Sequence, residues 1–286
     1  MKKTRILILS SLLCCLLLPV ANAVTVRTNL VPEGAREQYP LQLIEMAFSY
    51  FPDEDFVHVQ HHENVNQARL KQMIADGQLD LMWAGTTPEL ETNFIPIRVP
   101  LFKGLLGHRI FIIRNGEQTK FSSIHNFTDL LRFKAGQGRS WGDTPILEYA
   151  GIDVVKPVNY PNLFYMLDGE RFDYFPRAVH EPWPEVDSRP ELNLAIEREL
   201  MLVYPMPLYF FTNKDNHKLA SILKEGLLKG IDEGKFDDIF FSNEDIKTAI
   251  EKTNMQNRRV FRINNPALSS DTPLDDKRLW IDINAI

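Results

Sequence analysis

The hydrophobic positions of this chain change period repeatedly, from two to about three and a half and back, and each change marks an expected element. "VTVRTN" alternates Val24 and Val26 with polar neighbours and reads as a first strand. In "YPLQLIEMAFSYF", Leu41, Ile44 and Phe48 recur at helical spacing, with Pro40 near the start, where proline is tolerated. "DFVHVQHH" returns to a strand pattern through Phe56, Val57 and Val59. "NVNQARLKQMIADG" turns Val65, Leu70, Met73 and Ile74 inward as a helix that Gly77 stops. The third strand is "GQLDLMWAGTTPELE", where Leu79, Leu81 and Trp83 alternate with Asp80 and Met82 before small and hydroxyl residues take over at Ala84, Gly85, Thr86 and Thr87.

The alternation of element types continues. "HRIFIIRN", "FKAGQG", "DVVKPV" and "RFDYFPRA" read as strands, and "SSIHNFTDLLRF", "SWGDTPILEYAG" and "NLFYMLDGE" as the helices between them, with Asn126 or Thr128 as a cap of the first. A polar, proline-rich stretch at 182–190 precedes an expected helix, "ELNLAIERELM", and then an apolar strand broken by Pro205 and Pro207. Leu219, Ile222, Leu223, Leu227 and Ile231 form a long helical stripe ended by Gly234, and "NEDIKTAIEKTN" follows behind a Ser242 or Asn243 cap. The tail from Arg258 to Ile286 has no clear period. Strands alternating with helices, without hairpin signals, predict an α/β chain with a parallel sheet.

Composition adds a compartment. Lys2, Lys3 and Arg5 precede the apolar run "ILILSSLLCCLLLPV" and the small-x-small "ANA" at 21–23, the pattern of a cleavable signal peptide over 1–23. Both cysteines, Cys14 and Cys15, lie in it, so the mature chain forms no disulfide and depends on packing. Loss of those three cations moves the formal charge from -6 to -9, which argues against nucleic acid and anionic membranes as partners. No later apolar run reaches the ~20 residues of a membrane span. The expected state is a soluble periplasmic monomer.

The order of five pieces then carries a resemblance. "GQLDLMWAGTTPELE" with the "PLFKG" after it, "LRFKAGQGRSWGDTPILEYAG", "LDGERFDYFPRA" and "LYFFTNKDNHKLASILKEGLLKGIDEGKFDDIF" follow one another as they do in bacterial periplasmic solute-binding proteins of the polar amino-acid type. The resemblance implies the two-lobed, type II periplasmic-binding-protein-like α/β fold, with two crossing hinge strands near Leu105–Arg109 and Leu202–Pro207. One lobe would hold 24–107 plus 206–286, the C-terminal extension included, and the other 108–205. Gly104 and Gly107 would serve the hinge. The family reads threonine-proline-glutamate-arginine where this chain has "TTPEL", and its arginine clamps an amino-acid carboxylate; here that position is Leu90. The family's acid for the ligand's amino group falls in "DYFPRA", where Arg177 and Ala178 stand. Both departures point away from a simple amino acid, and the second disfavours a cationic amine and favours an anionic or strongly polar solute.

Candidate ligand contacts follow from strand ends, because ligands of open α/β sheets sit beyond the carboxyl ends of strands. They are Trp83, Thr86 and Thr87 at the third strand; Arg139 and Ser140 in "GQGRSWGDT", whose backbone N–H groups would meet an anion; Arg177 and Glu181 in "PRAVHEPW"; and Tyr39 and Asn29 around the first loop. Each has a structural alternative, as core aromatic, turn hydroxyl or helix cap. His58, His61, His62 and Glu63 lack the spacing and context of a metal motif, so neither a metal nor a cofactor is expected. No nucleophile–base pattern stands out. The expected function is a binding protein that hands a small solute to an ABC permease or a membrane sensor. The alternatives are a periplasmic enzyme, dehydratase-like, using Glu181 or Glu89 as the buried acid, and a partner-binding protein without a transport role.

Overall fold

A computed structural model describes residues 24–29, 38–54, 56–61 and 67–283. The expected signal peptide at 1–23 and the His62–Glu63 end of the histidine-rich stretch lie outside the described residues. Within them, no helix is long and apolar enough to cross a membrane.

The chain runs β1 (Val24–Asn29), α1 (Gln38–Phe48), β2 (Phe56–His61), α2 (Gln67–Ala75), β3 (Leu81–Gly85), α3 (Pro88–Asn93) and β4 (Phe94–Ile97). It crosses to β5 (His108–Arg114), α4 (Gln118–Ser122), α5 (Phe127–Leu130), β6 (Ala135–Gly136), α6 (Thr144–Tyr149) and β7 (Val154–Val155). Then come α7 (Tyr160–Asp168), β8 (Tyr174–Ala178), α8 (Pro182–Asp187), β9 (Leu194–Ile196) and β10 (Leu200–Val203). The return is made by β11 (Leu208–Asn213), α9 (His217–Asp232), α10 (Lys235–Ser242), α11 (Glu244–Thr253) and β12 (Arg259–Arg262).

Two β units result. In the first, β1 and β2 are parallel, and β11 lies between β3 and β4, antiparallel to both. Arg27 and Asp80 tie β1 to the start of β3 through a 2.7 Å ion pair and a backbone bond. The helical stripe of α9 behaves as its period predicts: Leu223 and Leu227 are fully buried with Leu43 and Ile44 of α1. The second unit is the sheet β12-β10-β5-β8-β6-β7, with β9 also on β5. Its two faces bury different side chains of one strand, Phe111 against Phe121 and Tyr174, and Ile112 against Leu163, Phe164 and Phe175.

The expectation of a parallel sheet holds for β6 with β7 and β8, whereas β5 is antiparallel to β8, β9 and β10. "ELNLAIERELM" is not a helix. It forms β9, a tight turn and β10, because the buried Glu197 carboxylate accepts the N–H groups of Glu199 and Leu200 and closes the turn. The proline-rich stretch, in contrast, contains α8, with Pro182 at the first helical position.

Two connections cross between the units side by side. Tyr204 N–H bonds Gly107 O at 3.0 Å, and Leu101 N–H bonds Leu208 O at 2.9 Å. A Cβ on Gly107 would stand 1.9 Å from the Tyr204 carbonyl, so glycine here permits backbone contact between crossings rather than rotation. The tail adds a third connection. Strand β12 lengthens the second sheet beside β10, across the expected division at 205–206. Arg258 fixes it there, donating to the carbonyls of Glu197, Leu200 and Thr253. The chain then returns to the first unit, where Ile281 N–H bonds Lys103 O and Trp280 lies on Gly104.

Candidate functional site

Between the two units lies a cavity of about 240 Å³, open to solvent. The first unit supplies the end of β3 and the start of α3, with Gly85, Thr87 and Leu90. The second supplies the loop between β6 and α6, with Ser140 to Asp143, and the ends of β5 and β8, with Arg109 and Arg177. This loop is held by Gln137 N–H on Val155 O and by the Thr144 hydroxyl on Gly138 O at 2.7 Å. Gly142 brings the units into contact: a Cβ there would lie 2.7 Å from the Thr87 γ-methyl and 3.4 Å from Met206.

The floor of the cavity is a chain of buried charges. Arg109 lies 3.0 Å from Asp143 and 3.5 Å from Glu181. Arg177 lies 2.9 Å from Glu181 and 2.6 Å from Glu185, to which Nε also donates at 2.8 Å. Asp143 Oδ2 also accepts from Gln137 at 2.6 Å and from the Tyr204 hydroxyl at 3.0 Å. Burial opposes the charge of both arginines, but Asp143 and Glu181 hold Arg109 above its ordinary pKa, and Glu181 and Glu185 do so for Arg177. Burial likewise raises the Tyr204 hydroxyl, which stays a neutral donor. The Arg177 guanidinium also sits 4.9 Å from the Trp141 ring and 5.0 Å from that of Phe175.

The expected contacts are partly assembled. Thr87, Ser140, Arg177 and Glu181 line this cavity. Thr87 also caps α3, accepting from Leu90 N–H at 3.2 Å. Thr86 is turned aside: its hydroxyl donates to Glu91 at 2.6 Å, and Glu91 pairs with Arg98. Tyr39 and Trp83 line a second cavity of about 150 Å³ that shares Leu106, Leu208 and Glu181 with the first. Asn29 and Arg139 do not figure among the described residues lining either cavity. Asn29 is buried at the end of β1, and the exposed Arg139 directs Nε to Lys156 O at 3.3 Å. Leu90 is buried among Met73, Ile74 and Tyr209 and shows an apolar edge to the cavity.

The expectation that Arg177 would offer its charge to an anion meets a different geometry, since Nε and Nη2 are both spent on carboxylates. Its neighbour Ala178 has no carboxylate, but Glu181 folds back and accepts Ala178 N–H at 2.8 Å, placing an acid at this strand end. Asp143, at the start of α6, makes no capping bond and serves the charge cluster instead. Tyr204 and Met206 lie in the apolar stretch broken by Pro205 and Pro207, whose pattern does not single them out.

No protein family matches the chain as a sequence, and no curated protein matches it. Solved structures match its fold. An ancestral arginine-binding protein bound to arginine shares 16% identity over 77% of this chain and 98% of its own, with a TM-score of 0.54. A probable amino-acid ABC transporter extracellular-binding protein from Bacillus subtilis shares 13% over 79% and 99%, at 0.55. The GluR0 ligand-binding core in complex with L-glutamate shares 15% over 78% and 99%, at 0.54. The chain thus has the type II periplasmic binding protein fold, the fold of amino-acid ABC transporter substrate-binding proteins.

Proposed function

We propose that this protein is an exported, non-catalytic binding protein that closes two lobes on a small polar solute and is read in its liganded form by a membrane partner, an ABC permease or a sensor. The lobes are 24–107 with 206–257, and 108–205 with β12. The observation that carries this reading is the cavity itself. It lies where strand ends of both units meet, its polar groups are held in fixed orientations by one another, and Gly142 lets the two walls touch at Thr87. Thr87, Ser140 and Glu181 face the solute, with Arg109, Asp143 and Arg177 behind them.

The same geometry weighs against proton-transfer chemistry. Glu181 is already an ion-paired acceptor, and Glu89 is exposed beside Lys71 at 2.6 Å, so neither is an isolated buried acid. The test is thermal denaturation of the mature chain with amino acids, amines, dicarboxylates, sugars and short peptides. A ligand at a hundred times its Kd adds about 2.7 kcal/mol and one class should raise Tm. Turnover of a compound without such a shift would sink the reading.

A further inference from the structure

The second cavity deepens this reading and rests on it. Four rings line it: Tyr39, Trp83, Phe102 and His180. Phe102 lies 5.0 Å from Tyr39 and stacks on His180 at 4.9 Å. The charged groups in its described lining are Glu181, which it shares with the first cavity, and Asp245. The cluster beneath is unbalanced in the same direction. Arg109 and Arg177 face three carboxylates, Asp143, Glu181 and Glu185, which leaves a formal charge of about -1. Glu181 is also the least covered of the five, with 15% of its side chain exposed against 3 to 7% for the others. The surplus charge therefore faces the wall common to both cavities. In the first cavity Leu90 offers nothing to a carboxylate.

We infer that the solute is a small organic cation without a carboxylate, a primary amine or quaternary ammonium whose charged head lies between the aromatic rings and Glu181. Ring faces attract such a group, and more so once water is excluded. A carboxylate in its place would meet the surplus of negative charge with both arginines already paired.

The experiment uses matched pairs that differ by one carboxylate: agmatine and arginine, putrescine and ornithine, choline and glycine betaine. Calorimetry and thermal shift on the mature chain should show at least one amine binding tenfold or more tighter than its carboxylated partner. For that amine, Glu181→Gln should weaken binding at least tenfold. Asp245→Asn, half-buried on the first turn of α11, should weaken it about threefold and lower Tm by no more than about 4 °C, which keeps the test valid if Glu181→Gln folds poorly. Equal or tighter binding of the carboxylated partner overturns this inference, and so does binding confined to dicarboxylates or sugars; in either case the solute-binding reading stands. If no compound of any class binds, both are overturned.

Discussion

Glu185→Gln asks how far the Arg177 guanidinium depends on the carboxylate behind it. The two side chains are 7% and 5% exposed and joined by donor–acceptor distances of 2.6, 2.8 and 3.1 Å. Charges about 4 Å apart at an effective dielectric constant of about 20 attract by about 4 kcal/mol. Glutamine keeps the shape and one acceptor but removes the charge. Glu181, 2.9 Å from the same guanidinium, retains part of the compensation. Removing one partner of a buried pair costs about 3–5 kcal/mol, and the remaining acid places this change near the lower end, about 3 kcal/mol. For a chain of this size that lowers Tm by about 6–12 °C. Arg177→Gln should cost a similar amount, because it leaves Glu185 without its cation and Glu181 with Arg109 alone. The double variant should then fall short of the sum of the single losses by about 2 kcal/mol or more. Urea denaturation of the four proteins closes the cycle. A loss under about 0.5 kcal/mol for Glu185→Gln, or additivity within the same margin, refutes the account of Arg177 as a cation held by the fold.

Other substitutions probe the contact between units and the crossings. Gly142→Ala should lower affinity for the bound solute at least tenfold by calorimetry, since its Cβ meets the Thr87 γ-methyl at 2.7 Å; Thr87→Ser, which removes that methyl and keeps the cap, should restore it, and failure to do so counts against direct contact. His108 is held at a pKa of about 4 by burial, helped by Arg262 and Arg109 and opposed by its bond to Gly104 O. A histidine depressed below its usual 6.5 contributes stability that is complete above that pH and lost as pH falls toward 4, up to about 3 kcal/mol. His108→Gln should flatten the urea-midpoint profile between pH 6.5 and 4, and an unchanged profile would remove His108 from the account. Trp280→Ala should cost about 2 kcal/mol, read as a Tm drop of about 4–8 °C, because its ring covers Gly104 and its Nε1 donates to Pro273 O at 2.7 Å. Wild-type melting would show that the tail does not brace the crossing.

Local periodicity was legible where one face of an element is buried. The strands β1 and β3, the α9 stripe and the caps at Asn126 and Asn243 appear where spacing places them, and β2 does so although its Val57 and Val59 are exposed. Misreadings gather where a charged side chain works inside the protein. In "ELNLAIERELM" the glutamates resemble a solvated helical face, yet Glu197 is fully buried and closes a turn between strands. The prolines at 182 and 184 suggest a loop but occupy the first turn of α8, where proline costs no hydrogen bond. Missing that helix also hides the site. Glu181 and Glu185 stand one helical turn apart, and only with α8 formed do both reach back to Arg177 on β8. Arg177 by itself reads as a cation awaiting an anion. Thr86 is similar: strand alternation places it at a cleft edge, and only the fold shows its hydroxyl turned to Glu91.

Five ionised side chains gathered at the cavity floor are a poor way to stabilise a fold. Buried ion pairs are often no better than apolar groups of the same volume, and the second unit has apolar packing on both faces of its sheet. What the cluster does provide is orientation. Asp143 is fixed by Arg109, Gln137 and Tyr204, and Glu181 by Arg109, Arg177 and the N–H of Ala178, so the cavity's acceptors need no rearrangement when a solute arrives. Fixing them also sets the sign of the site. Each arginine is enclosed by carboxylates, and the one group left partly exposed is an acid. A wall built this way repels a carboxylate and receives a cation, although its sequence displays two arginines at the strand ends.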